Sequence, residues 1–229
     1  MGRHRLEGNP PITVKMRRSA RARRLSLRVS RLDGQVTLTM PRFAPEREGV
    51  AFLREREDWL RGHLADIAPA TDVAIGAAVP FGGEDLPVVA GPGRGCRREK
   101  CQIIVNPARP VGPQVKALLR EEARRALATA SDRYAASLGR SYSRLTLRDT
   151  RSRWGSCTSE GALMYSWRLI MAPSEVLDYV AAHEVSHLVE MNHQPPFWAV
   201  VAKLCPDWQA HRDWLREHGD RLHRIRFDN

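Results

Sequence analysis

His183 and His187 bracket a glutamate in the run His183-Glu184-Val185-Ser186-His187, and a third histidine, His193, stands six residues further on. The surrounding apolar pattern, opened by Ser174 as N-cap with Glu175 and Asp178 in the first turn, predicts a helix over 174–191. At about 100° per residue the first two imidazoles share one helix face a turn apart, so they can grip one ion from the same side. Glu184 falls at the rim of that stripe, where a carboxylate reaches a metal-bound water without ligating the metal. His193 would face backwards on a continuing helix, so the chain has to leave the helix before it. Asn192 tolerates the left-handed conformation, and Pro195-Pro196 cannot extend the turn. Glu190 is the rival ligand on the same face, but on a regular helix it rises about 10 Å above His183. His193 is the better third ligand.

Three protein ligands plus an open position suit a catalytic zinc, which lowers the pKa of bound water to about 7. The expectation is therefore one Zn2+ per chain on His183, His187 and His193, with Glu184 as general base. For the developing oxyanion, Tyr165, Arg153 and Arg168 have suitable chemistry, but no spacing aims any of them. His211 and His218 recur seven residues apart on a later helix and read as solvated.

The chain has 229 residues, 42% hydrophobic and 28% charged, which are ordinary globular proportions. No apolar run approaches the ~20 residues of a membrane span. The start, through Pro10, has no apolar stretch of the kind a signal peptide carries. No membrane partner and a cytoplasmic location are expected. Cys96, Cys101, Cys157 and Cys205 are too scattered for a disulfide framework. Reduced thiols fit better than a zinc ribbon on Cys96 and Cys101, because no second pair follows. Ten basic residues and one acid fall within residues 1–32, so +9 of the net +11 is concentrated there. An Arg-rich patch of this kind suits a polyanion, making nucleic acid a candidate partner through the N-terminus. An arginine-rich coding bias accounts for the same composition.

Alternation over 24–30 and 35–40, with Asp33-Gly34 between, predicts a β-hairpin. Residues 45–68 have near-helical spacing of Phe52, Leu53, Trp59, Leu60 and Leu64. Short strands are expected at 79–81, 86–89 and 102–105, and the prolines at 107, 110 and 113 place a domain boundary near 112. Beyond it a helix is expected at about 113–138, then strands at 145–148 and, alternating from Leu163 to Leu169, at 163–169. Helices follow at about 196–205 and 207–218, the second capped by Asp207 and closed by Gly219. Phe197, Trp198, Trp208 and Trp214 read as core aromatics behind the histidine helix.

The stretch from His183 to His193 followed by Phe197-Trp198 resembles the YgjP-like metallopeptidases, zincins related to the SprT-like proteases. The resemblance extends to Arg151-Ser152-Arg153-Trp154-Gly155-Ser156-Cys157, to Ser166 through Ile170, to Ala172-Pro173 and to Arg21 through Val29. Gln194 departs from it, standing where a serine is expected beside the third histidine. The resemblance implies a zinc peptidase acting on polypeptides. The fold expected is α+β: a zincin-like catalytic part over 113–229 with a small antiparallel sheet and the histidine helix, preceded by a hairpin-rich region over 1–112. Arg153, Trp154 and Tyr165 are candidate substrate contacts on or beside a strand that an extended peptide can join, although Trp154 serves equally as a core plug. Cys157 reads as a packed thiol. Two other classes remain open: a DNA-associated protease, as the SprT-like kinship hints, and a non-catalytic zinc module.

Overall fold

The computed structural model describes residues 2–228 except 31, 66, 68 and 69. The basic Arg31 and the far end of the helix expected to 68 thus lie outside the described residues. The chain forms two compact units, 1–69 and 70–229. The division falls well before the boundary expected near 112, because strands from 71 to 105 share a core with the long helix that follows.

The first unit holds strands β1 (Gly2–Leu6), β2 (Ile12–Ser19), β3 (Ser26–Val29) and β4 (Val36–Pro41), then helices α1 (Glu46–Glu55) and α2 (Glu57–Ala65). The expected hairpin is β3–β4, with Ser26 opposite Thr39 and Val29 opposite Val36. Gly34 closes it at φ +67°, a conformation that favours glycine. β2 lies parallel to β4 and antiparallel to β1, completing the order β1-β2-β4-β3. Ile12, Val14 and Met16 alternate inward with Val36, Leu38 and Met40, and Leu53 and Leu60 cover them. The helix expected over 45–68 is two, interrupted at Arg56.

The second unit begins with β5 (Thr71–Asp72), β6 (Ala78–Phe81), β7 (Glu84–Ala90), β8 (Arg97–Glu99) and β9 (Gln102–Val105). The last four form a sheet in the order β6-β7-β9-β8. α3 (Val111–Ser137) then presents Val115, Leu119, Ala123 and Leu127 to the core at helical spacing. It ends in a Schellman turn: Gly139 at φ +62° donates to the Ala136 carbonyl, and Arg140 donates to that of Ala135.

Next come β10 (Arg144–Arg148), β11 (Gly155–Cys157) and β12 (Ala162–Ser166), in the order β10-β12-β11. The antiparallel pairing expected of this small sheet holds for β11–β12, whereas β10 joins β12 in parallel. The strand expected over 163–169 stops at Ser166 and turns into a 3-10 helix, Trp167–Met171. α4 (Ser174–Ser186) carries the histidines, followed by α5 (Pro195–Leu204), α6 (Trp208–Leu222) and β13 (Ile225–Arg226), which pairs with β5. Ser174 is the first helical residue rather than the cap, and its hydroxyl donates to the Glu175 carboxylate. Gly219 does not end α6, which runs on to Leu222. A side chain at 219 would meet the Trp154 ring at 2.8 Å, so glycine there makes room for the indole.

Candidate metal centre

α4 stops at Ser186, earlier than the periodicity suggests, and His187 is its C-cap. The amides of Val189 and Glu190 both donate to the Ser186 carbonyl, which turns the chain back at once. Asn192 holds the returning strand of chain through its side chain, which accepts from the Gln194 amide at 3.1 Å. Pro195 and Pro196 then occupy the first turn of α5, where their missing N–H groups cost nothing. Trp198, one turn into α5, donates its indole N–H to the His193 carbonyl at 3.2 Å.

This path brings His193 over the other two histidines. One ring nitrogen from each of His183, His187 and His193 lies within 4.8 Å of the others, the only such group of three potential ligands among the described residues. Nε2 of His183 and Nε2 of His193 are 3.1 Å apart, near the ~3.3 Å between two nitrogens on a tetrahedral zinc. His187 donates from Nδ1 to the Glu190 carbonyl at 3.0 Å, which leaves its Nε2 lone pair for an ion. Glu190 thus meets His187 through its backbone carbonyl, and its carboxylate is not among the three clustered groups. Phe197, fully buried, stands behind all three rings at centroid distances of 4.9, 4.5 and 4.7 Å. Burial, aided by its two neighbours and Arg212, lowers the His183 pKa to about 3. Burial likewise lowers that of His187. Neutral imidazoles are the form that binds metal, so the donor set fits a borderline cation such as zinc.

Glu184 is also buried, which raises its carboxyl to about 8 against the opposing pull of Arg153. Its carboxylate lies on the backbone of Gly155 at the start of β11: a Cβ there would sit 2.5 Å from Oε1. β11 is an edge strand, held to β12 with Gly155 opposite Tyr165. A cavity of about 370 Å³ opens beside these groups, with His183, Glu184, Gly155, Arg153 and Trp154 in its wall.

The chain's match to protein families decides what such a centre belongs to. The YgjP-like metallopeptidase domain matches residues 23–218. The chain belongs to the YgjP-like metallopeptidases. It is therefore a metal-dependent peptidase, as the motif resemblance implies, and a mixed α+β protein with small sheets. No curated protein matches the chain. Among solved structures, the metallopeptidase zymogen abylysin of Pyrococcus abyssi is similar at 18% identity over 41% of this chain and 92% of its own, with a TM-score of 0.36.

Of the expected substrate contacts, Arg153 and Trp154 reach the cavity and Tyr165 does not. Tyr165 is fully buried, its hydroxyl 3.0 Å from that of Ser131 on α3. Arg168 is equally remote, held by both oxygens of Asp149 and by the Leu222 and Ile225 carbonyls. Burial raises the Cys157 thiol to about 11, with the Glu184 charge adding to it, which keeps it a thiol. Trp154 is half-buried and packs tilted against His223 at 5.1 Å while also lining the cavity, so it is both wall and plug. His211 is not simply solvated, since it packs 6.4 Å from Tyr179 near the cavity. Phe197 reads as a core aromatic in the sequence, and the structure adds that it backs the three imidazoles, whereas Gly155 and Tyr179 carry no signal in spacing alone. Only the position of Gly155 within the Arg153-Trp154-Gly155 run marks it.

Proposed function

We propose that the peptidase uses one Zn2+ held by His183, His187 and His193, with Glu184 as the general base and acid. The observation that carries this is the buried Glu184 carboxyl group, fixed against Gly155 in the wall of the cavity that His183 also lines, next to the three converging imidazoles. A bound zinc would supply a Lewis acid that polarises the peptide carbonyl and acidifies water. Glu184 takes the proton from the attacking water and passes it to the leaving amine. Its confinement by Gly155 fixes where the proton is received. The open edge of β11 offers backbone groups with which an extended polypeptide can pair across the site.

Glu184→Gln tests the assignment on a denatured protein substrate. Hydrolysis should fall by about 10²–10⁴-fold, while zinc by elemental analysis stays at one per chain. Equal activity would remove Glu184 from the reaction. Stoichiometric zinc without cleavage by the wild-type chain would identify a non-catalytic zinc module instead.

A second reading, association with nucleic acid, is favoured by the outer face of the β1–β4 sheet. Arg3, Lys15, Thr37 and Arg28 stand opposite one another in one row across all four strands. Arg5 and Arg17 lie on the same exposed side. Five cations with short hydroxyl side chains between them suit a phosphate backbone and carry no aromatic platform for bases. Exchanging Lys15, Arg17 and Arg28 for glutamate should abolish DNA binding and its steep salt dependence. Unchanged binding would exclude this face.

A further inference from the structure

The cavity beside the imidazoles has an apolar floor and a cationic rim. Trp154, Val180 and Leu215 provide the floor, and Arg153, Arg212 and Arg216 stand around it. Arg153 precedes β11, and its backbone carbonyl accepts from the Thr150 hydroxyl at 2.8 Å. Arg212 and Arg216 project from one face of α6, four residues apart. The Arg212 guanidinium lies 5.3 Å from the Trp198 ring centroid, and that ring is 5.7 Å from His183.

Among the described residues neither Arg153 nor Arg212 has a carboxylate within 4.0 Å, and Arg216 has only an exposed 3.3 Å contact to Asp213. Among the described residues Glu184 is the only acid in the cavity wall, and its carboxyl group lies against Gly155. Two unpaired guanidinium forks above an apolar floor describe a receptor for a short apolar stem ending in a carboxylate. A cationic side chain in the same place would meet like charge.

We infer that this cavity is a carboxylate subsite, so that the peptidase selects polypeptides with an acidic group adjacent to the cleaved bond. The inference rests on the peptidase reading above, since His183 and Glu184 share the cavity wall. The carboxylate can come from an Asp or Glu side chain or from a substrate's C-terminus. Because Arg212 and Arg216 are exposed, the preference weakens as salt rises.

Paired peptides separate these sources. One set differs only by Glu or Gln at each position flanking the cleaved bond, and each peptide is made as free acid and as C-terminal amide. For an internal side chain, kcat/KM should favour Glu over Gln by about tenfold or more at low salt. For the terminal source, the free acid should exceed the amide by a similar factor. Arg212→Glu should reduce the preference to about twofold or invert it, while Arg124→Glu on the exposed face of α3 leaves it unchanged. Cleavage with Glu equal to Gln and acid equal to amide would overturn the inference and leave the peptidase standing. If no peptide is cut, the peptidase reading fails. Fluorescence anisotropy of labelled Glu and Gln peptides on the Glu184→Gln chain then decides the subsite, and equal binding would overturn it.

Discussion

An alanine at position 155 would place its Cβ 2.5 Å from Oε1 of Glu184, 2.6 Å from Cγ and 2.7 Å from Cδ. Ordinary carbon contacts begin near 3.5 Å, so the carboxylate has to retreat by about 1 Å or β11 has to swing away. Gly155 does not have a positive φ, so the backbone itself accepts alanine and the effect isolates the contact. Overpacking of this size costs about 1–3 kcal/mol of stability. A misplacement of about 1 Å at a reacting group costs about 100-fold in rate. Gly155→Ala should therefore lose about two orders of magnitude in kcat on an unfolded protein substrate. Zinc content should stay at one per chain, because the three atoms nearest the new methyl group all belong to Glu184 and not to an imidazole. The assay pairs turnover with elemental analysis and a thermal melt. Activity within threefold of wild type, in a chain that melts normally, would show that the Gly155 contact does not position Glu184.

His193→Ala should weaken zinc by more than about 100-fold, beyond the loss typical of an outer partner, read by competition with a chromophoric chelator. Chelation of the wild-type chain should abolish hydrolysis and added Zn2+ restore it; persistence of activity in a metal-free sample would end the metallopeptidase mechanism. Phe197→Ala should cost about 3–5 kcal/mol in denaturant unfolding and loosen zinc as well, since the ring backs all three histidines. Burial, with the Arg168 charge, lowers the His223 pKa to about 4. The unfolded chain therefore takes up a proton first as pH falls from about 6.5, and stability declines from there toward pH 4. After allowance for partial exposure the loss is about 1–2 kcal/mol; His223→Phe, which keeps a ring on Trp154, should remove that part of the pH dependence in urea titrations.

The convergence of the histidines was legible because its logic is local: four residues make one helical turn, and two prolines just past His193 forbid a long continuation; Asn192, expected to turn left-handed, has no positive φ, and α4 already ends at Ser186. The hairpin from 26 to 41 was legible for the same reason. Its neighbours were not. Ile12, Val14 and Met16 alternate cleanly, but β2 finds its partner β4 in parallel about twenty residues away, and no local turn marks such a pairing. Tyr165 misled because nearly all of β12 is buried, so alternation there separates two interior faces and not core from cleft. Gly219 misled for a different reason. A glycine near a helix end reads as a stop, and here it instead admits the Trp154 ring from another element. Arg212 was illegible because its place beside the centre comes from the packing of α6 against α4.

The early stop of α4 links these observations. Had the helix run to 191, His193 would have pointed away and Glu190 would have been left on the ligand face. Ending at Ser186 frees the Glu190 carbonyl to accept from His187 Nδ1, so the residue that would compete for an ion in one conformation orients one of the proposed ligands in the other. The same turn delivers Pro195 and Pro196 to the first turn of α5, which sets Phe197 beneath the three rings and Trp198 on the His193 carbonyl. α6 follows closely, with Trp208 stacked 4.4 Å from Trp198 and Arg212 over the same Trp198 ring. One helix end thus determines where the third imidazole, its backing ring and the cationic rim are placed. A substitution that prolongs α4, such as Glu190→Ala with Asn192→Ala, should therefore loosen zinc before it disturbs the fold, since the helix gains propensity while the ligand set loses its closure.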